Sequence, residues 1–194
     1  MITEFKIFES VKTIGPLFHG SKQKFDNFDF EKLGIDGHLL SFLGVHFSEK
    51  QEVAESFMRR SYILYEVELN VNKTLTIAEG DLVKDMIKFG VENYLMNPDD
   101  FVETPYPDVL DLNYYNSTVS HKKPLLAYEL LRIPKEDCKR ISLKYKELLI
   151  KKGYDSIKYK NEIEMPNLER WDWIAFDEKQ IKILEIWEKN PMME

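Results

Sequence analysis

The segment SYILYEVELNVNKTLTI, Ser61 to Ile77, constrains the fold of this chain more than any other. Tyr65, Val67 and Leu69 alternate with Glu66, Glu68 and Asn70, the period-two pattern of a strand with one face in a core. A lone strand has no independent stability, so partners must come from elsewhere in the chain. Two short candidates precede it. PLFHG, 16–20, is barred from helix by Pro16 and released into a turn by Gly20, and LGVHFS, 43–48, follows a Gly-rich connection at 33–42. Three more, YDSIKYK, DWIAFD and IKILEIW, close the chain.

Helical patterns lie between. Ser48 is a candidate N-cap for EKQEVAESFMRRS, with acids in its first turn, arginines in its last, and Val53, Ala54 and Phe57 on one face. Asp81 to Leu95, Leu125 to Leu131 and Lys135 to Lys152 also read as helices, the last stopped by Gly153. Asn97 to Pro124, rich in Pro, Asp and Tyr, reads as an irregular surface excursion. Strands at both ends flanking helices predict an α+β fold in which early and late strands share one core. The 194 residues suit a single domain, 1–194, with a helical and irregular insertion over about 80–150.

Charge and cysteine use narrow the function classes. A net charge of -7 repels a phosphate backbone and an anionic membrane surface. The one cysteine, Cys138, forms no internal disulfide and sits in a polar helical setting without a nearby histidine. The acidic N-terminus does not read as a signal peptide, and no run approaches the ~20 apolar residues of a membrane-spanning helix. The expectation is a soluble cytoplasmic protein. His19, His38, His46 and His121 are scattered, so no metal site is expected. Walker-type, dinucleotide-binding and serine-elbow motifs are missing.

Three segments remain: FHGS at 18–21, GVHFSEKQEVAESF at 44–57 and WDWIAFDEKQIKIL at 171–184. In this order they resemble the diphtheria-toxin and poly(ADP-ribose) polymerase-like branch of the ADP-ribosyltransferase superfamily. That branch carries His-Gly-Ser/Thr on its first strand, Gly-x-Tyr-Phe on a second strand before a helix with an aromatic, and a Glu opening a late strand. GYDSIKYKN and YILYEVELNV are further similar to phage-encoded members, so a phage or bacterial origin is implied. The resemblance spans about two-thirds of the chain, and 81–149 has no counterpart in it.

The resemblance implies a split β-sheet core with flanking helices, and NAD as co-substrate without a metal. It implies that His19 bonds the adenosine ribose with Ser21 beside it, and that the Gly20 backbone holds the nicotinamide carboxamide. Gly44, His46 and Phe47 would form the second motif, Phe57 would stack on nicotinamide, and Asp172 would be the catalytic carboxylate. Apart from the resemblance, His19 equally reads as a core or surface histidine, Phe57 as core packing, and Lys22 and Lys24 as solvated rather than pyrophosphate-binding. Glu162, Glu164 and Glu169 read as loop acids, although Glu162 and Glu164 also resemble the Glu-x-Glu of arginine-modifying members. His46 stands where the family has Tyr, and Asp172 where it has Glu. A protonated His46 beside a cationic nicotinamide would repel it, so activity is expected to rise with pH.

The implied activity is mono-ADP-ribosyl transfer, a glycosyltransferase reaction with nicotinamide release, to a protein or small molecule in preference to nucleic acid. The alternatives are a catalytically degenerate binder of NAD or a partner, and an RNA 2′-phosphotransferase-like enzyme.

Overall fold

The computed structural model describes residues 11–34, 37–56, 62–96, 133–161 and 170–189. Seven strands form one sheet: β1 (Lys12–Ser21), β2 (Val45–Ser48), β3 (Tyr62–Val71), β4 (Thr74–Ala78), β5 (Ser156–Lys160), β6 (Trp171–Ala175) and β7 (Ile181–Lys189). Among the described residues the helices are α1 (Gln51–Ser56), α2 (Glu79–Glu92) and α3 (Lys135–Lys151). Strand order is β4-β5-β6-β2-β1-β3-β7, so early and late strands do interleave. All neighbours are antiparallel except β4 and β5.

The long alternating segment is two strands rather than one. It breaks at Asn72 and Lys73, because the Asp155 carboxylate accepts both their backbone N–H groups and the Asn72 side-chain amide. The chain beyond the break crosses to the far edge and pairs with β5 instead of continuing beside β1.

The sheet divides where β1 meets β2. Those strands share a single register pair, Phe18 with Ser48, whereas β1 and β3 stay paired from Lys12 to Ser21. This narrow joint separates β4-β5-β6-β2 from β1-β3-β7, giving the split sheet of an α+β fold. Each face carries its own core. On one, Leu82, Val83 and Met86 of α2 and Ile141, Tyr145 and Leu149 of α3 pack with Leu39, Leu43, Ile157, Tyr159 and Ile174. On the other, Leu17, Phe28, Phe47, Tyr65, Val67, Leu69 and Trp173 cluster. Each such aliphatic side chain contributes about 1.5–3 kcal/mol by leaving water.

Cys138 belongs to the α2–α3 core, at 3% exposure, and not to a polar setting. Burial pushes its thiol up to about 11, so it is inert. The expected excursion at 97–124 and the helix at 125–131 lie outside the described residues. No helix among the described residues is long and apolar enough to cross a membrane.

Candidate active site

His19 lies on β1 immediately beyond the pair that joins it to β2. Its Nδ1 is 2.8 Å from the backbone carbonyl of His46, so Nδ1–H donates there. The side chain thus takes a β2 carbonyl beyond the last β1–β2 register pair. Four aromatic rings surround it: Phe28, Phe47, Tyr65 and Phe25, at centroid distances of 5.2, 5.7, 6.3 and 6.4 Å. Desolvation in this box lowers its pKa from 6.5 to about 4, against an upward pull from the bonded carbonyl. His19 is therefore neutral at neutral pH. With the proton on Nδ1, its Nε2 presents a lone pair, as acceptance from a ribose hydroxyl requires.

The box is closed by a loop. Phe25 stacks on Tyr65 with centroids 4.3 Å apart, and its N–H donates to the Tyr65 hydroxyl, which donates to the Phe25 carbonyl. Phe47 is buried in this cluster under His19. Gly20 follows opposite Leu64 of β3 with no register partner on β2. The Ser21 hydroxyl turns back on Gln23, accepting its N–H and donating to its carbonyl. Lys24 forms an exposed ion pair with Glu188 at 2.6 Å.

His46 and Asp172 lie on the opposite face from His19, because strand neighbours alternate and Phe47 and Trp173 point to the His19 side. Ser48 pairs with Asp172, and Tyr159 pairs with Asp172 from the other flank, so the three form a row across β2, β6 and β5. His46 Nε2 is 3.0 Å from the Leu40 carbonyl and must donate, which leaves Nδ1 to accept from the Tyr159 hydroxyl at 3.2 Å. Desolvation lowers the His46 pKa, although the Leu40 bond and the Asp172 charge oppose it. The ring is neutral at neutral pH, so the expected repulsion of a cationic nicotinamide is confined to acidic solution.

Asp172 is 4% exposed. Asn161 Nδ2 donates to its Oδ2 at 2.6 Å, and Arg170 Nε approaches the same oxygen at 3.9 Å. Its Oδ1 has no hydrogen-bond partner among the described residues. A buried carboxylate oxygen without a donor carries a desolvation cost that a ligand hydroxyl would relieve.

Gly44 has a packing role. A Cβ there would stand 1.9 Å from the Ala175 carbonyl oxygen, so only glycine lets β2 lie this close to β6. Phe57, Glu162, Glu164 and Glu169 lie outside the described residues. Tyr159, Asn161 and Arg170 escaped the motif reading. The signal for them was parity: Arg170 stands two residues before Asp172, and Asn161 two after Tyr159.

The arrangement holds two neutral histidines, one on each side of the β1–β2 joint, and a carboxylate with one oxygen spare. The spare oxygen of Asp172 can accept from a hydroxyl and stabilise positive charge beside it. Residues 14–190 match the family model described as ADP-ribosyltransferase in polyvalent proteins. Comparisons with curated proteins and with solved structures gave no match.

Proposed function

The chain belongs to the family of ADP-ribosyltransferases in polyvalent proteins, and from that premise we propose that it is a mono-ADP-ribosyltransferase using NAD. The C1′–N bond between ribose and nicotinamide breaks, and its electron pair leaves with neutral nicotinamide. The ribose gains oxocarbenium character, an acceptor nucleophile bonds at C1′, and the acceptor's proton passes to solvent. Interactions that strengthen as this charge develops accelerate the reaction.

The observation that supports the reading is Asp172 Oδ1, buried and without a donor among the described residues of a chain of this family. Its role is to accept a hydrogen bond from a hydroxyl of the nicotinamide ribose, where a carboxylate stabilises the cation. Asp is one methylene shorter than Glu, so the ligand must come close to the β6 backbone. His19 Nε2 accepts from the adenosine ribose, the Gly20 backbone grips the carboxamide, and the neutral His46 ring borders the nicotinamide. The acidic net charge of -7 favours a protein or small-molecule acceptor over nucleic acid.

The test is transfer from biotin- or isotope-labelled NAD into a host lysate. Wild type should label an acceptor, while His19→Ala and Asp172→Ala should lose labelling by about a hundredfold or more. Equal labelling by all three would refute the site. A second reading, an NAD or partner binder without turnover, draws on the near-complete burial of the short Asp172 side chain. It predicts NAD binding with no nicotinamide released, with or without lysate.

A further inference from the structure

Tyr159 and Asn161 stand two residues apart at the end of β5, and so face the same side of the sheet. Each bonds one of the two candidate side chains on that face. The Tyr159 hydroxyl meets His46 Nδ1 at 3.2 Å, and Asn161 Nδ2 meets Asp172 Oδ2 at 2.6 Å. Because β6 lies between β5 and β2, the Tyr159 side chain must pass over β6, beside its register partner Asp172, to reach His46. Tyr159 is 4% exposed in the core formed with α2 and α3, which holds its ring in place.

These bonds specify more than position. A carbonyl only accepts, so the Leu40 contact requires the proton on His46 Nε2, and the Tyr159 hydroxyl supplies the donor that an unprotonated Nδ1 needs. Without that hydroxyl the Leu40 carbonyl still keeps the proton on Nε2, but Nδ1 loses its donor and the ring can turn about the one remaining bond. Asn161 engages Oδ2 of Asp172 and leaves Oδ1 as the oxygen without a partner. We propose that β5 is the positioning strand of the site, with Tyr159 holding the ring plane of His46 through Nδ1 and Asn161 selecting the carboxylate oxygen of Asp172 that meets the ligand. The kinetic consequence rests on the transferase reading, whereas the hydrogen bond to Nδ1 does not.

Tyr159→Phe removes one oxygen and keeps the ring in the core. In protein carrying ¹⁵N-labelled histidine, nitrogen shifts should report His46 as the Nε2–H tautomer in both proteins, with the unprotonated Nδ1 resonance moving downfield in Tyr159→Phe as its hydrogen bond is lost. With NAD, kcat should fall on the order of tenfold to a hundredfold, while the KM for NAD stays within about threefold, as expected of misplacement rather than lost binding. In a His46→Phe background, Tyr159→Phe should cause no further loss. Asn161→Ser, too short to reach Oδ2, should show the same split between kcat and KM. A shifted Nδ1 resonance in a protein that releases no nicotinamide would sustain the positioning role and remove the transferase reading. An unchanged Nδ1 resonance in Tyr159→Phe, with kcat unchanged in both variants, would overturn the positioning role even in an active enzyme.

Discussion

His19 makes a prediction about stability that needs no substrate. Its folded pKa of about 4 lies below the ordinary 6.5 because the aromatic box desolvates it. Above pH 6.5 the ring is neutral in both folded and unfolded chains and contributes no pH dependence. Below 6.5 the unfolded chain takes up a proton that the folded ring refuses, so stability falls until pH reaches about 4. At 1.36 kcal/mol per pH unit, the interval from 6.5 to about 4 corresponds to roughly 3 kcal/mol, an upper limit because the side chain keeps some exposure to solvent. His19→Gln keeps an amide donor for the His46 carbonyl and cannot titrate. Urea unfolding of both proteins at pH 7 and pH 4.5 gives the comparison, and shared carboxylates cancel in the difference. Wild type should lose up to about 2 kcal/mol more than His19→Gln between those two pH values. Parallel pH profiles would refute the desolvated, neutral state of His19.

Three further perturbations probe the frame that holds the site. Gly44→Ala drives a Cβ against the Ala175 carbonyl and should cost about 3 kcal/mol or more, read as a drop in Tm of roughly 10 °C; an unchanged Tm would contradict the close β2–β6 approach. Asp155→Ala removes the acceptor that shapes the Asn72–Lys73 turn and should cost about 2 kcal/mol in chemical denaturation, with no effect if the β3–β4 break is set by other contacts. Cys138, with its thiol pushed up to about 11, should resist iodoacetamide at pH 8 in native buffer and react fully in urea; fast native alkylation would place it outside the core.

Local patterns revealed some parts of this molecule and hid others. The alternation in Tyr65, Val67 and Leu69 marked a strand with one buried face, and that strand forms as β3 between β1 and β7. The break after Val71 was hidden because its cause, the Asp155 carboxylate, lies 83 residues from Asn72. Cys138 was misread from its charged neighbours. Spacing tells otherwise, since Cys138, Ile141, Tyr145 and Leu149 recur at helical intervals along one buried stripe. For the site, motif order brought out His19, His46 and Asp172. It did not reveal that His19 sits on one face and the other two on the opposite one, because face assignment depends on register across β1, β2 and β6. Tyr159 and Asn161 carry their roles through bonds to residues on two other strands, β2 and β6, and polar residues at a strand end look alike in one dimension.

The central claim is that Asp172 promotes cleavage of the bond between ribose and nicotinamide. Free nicotinamide formed from NAD by purified wild type and by Asp172→Asn, a variant of nearly the same shape without the charge, measures that step without knowing the acceptor. The account predicts time-dependent release by wild type and a loss of about a hundredfold or more in the variant while NAD still binds. Equal release by the two proteins would contradict it.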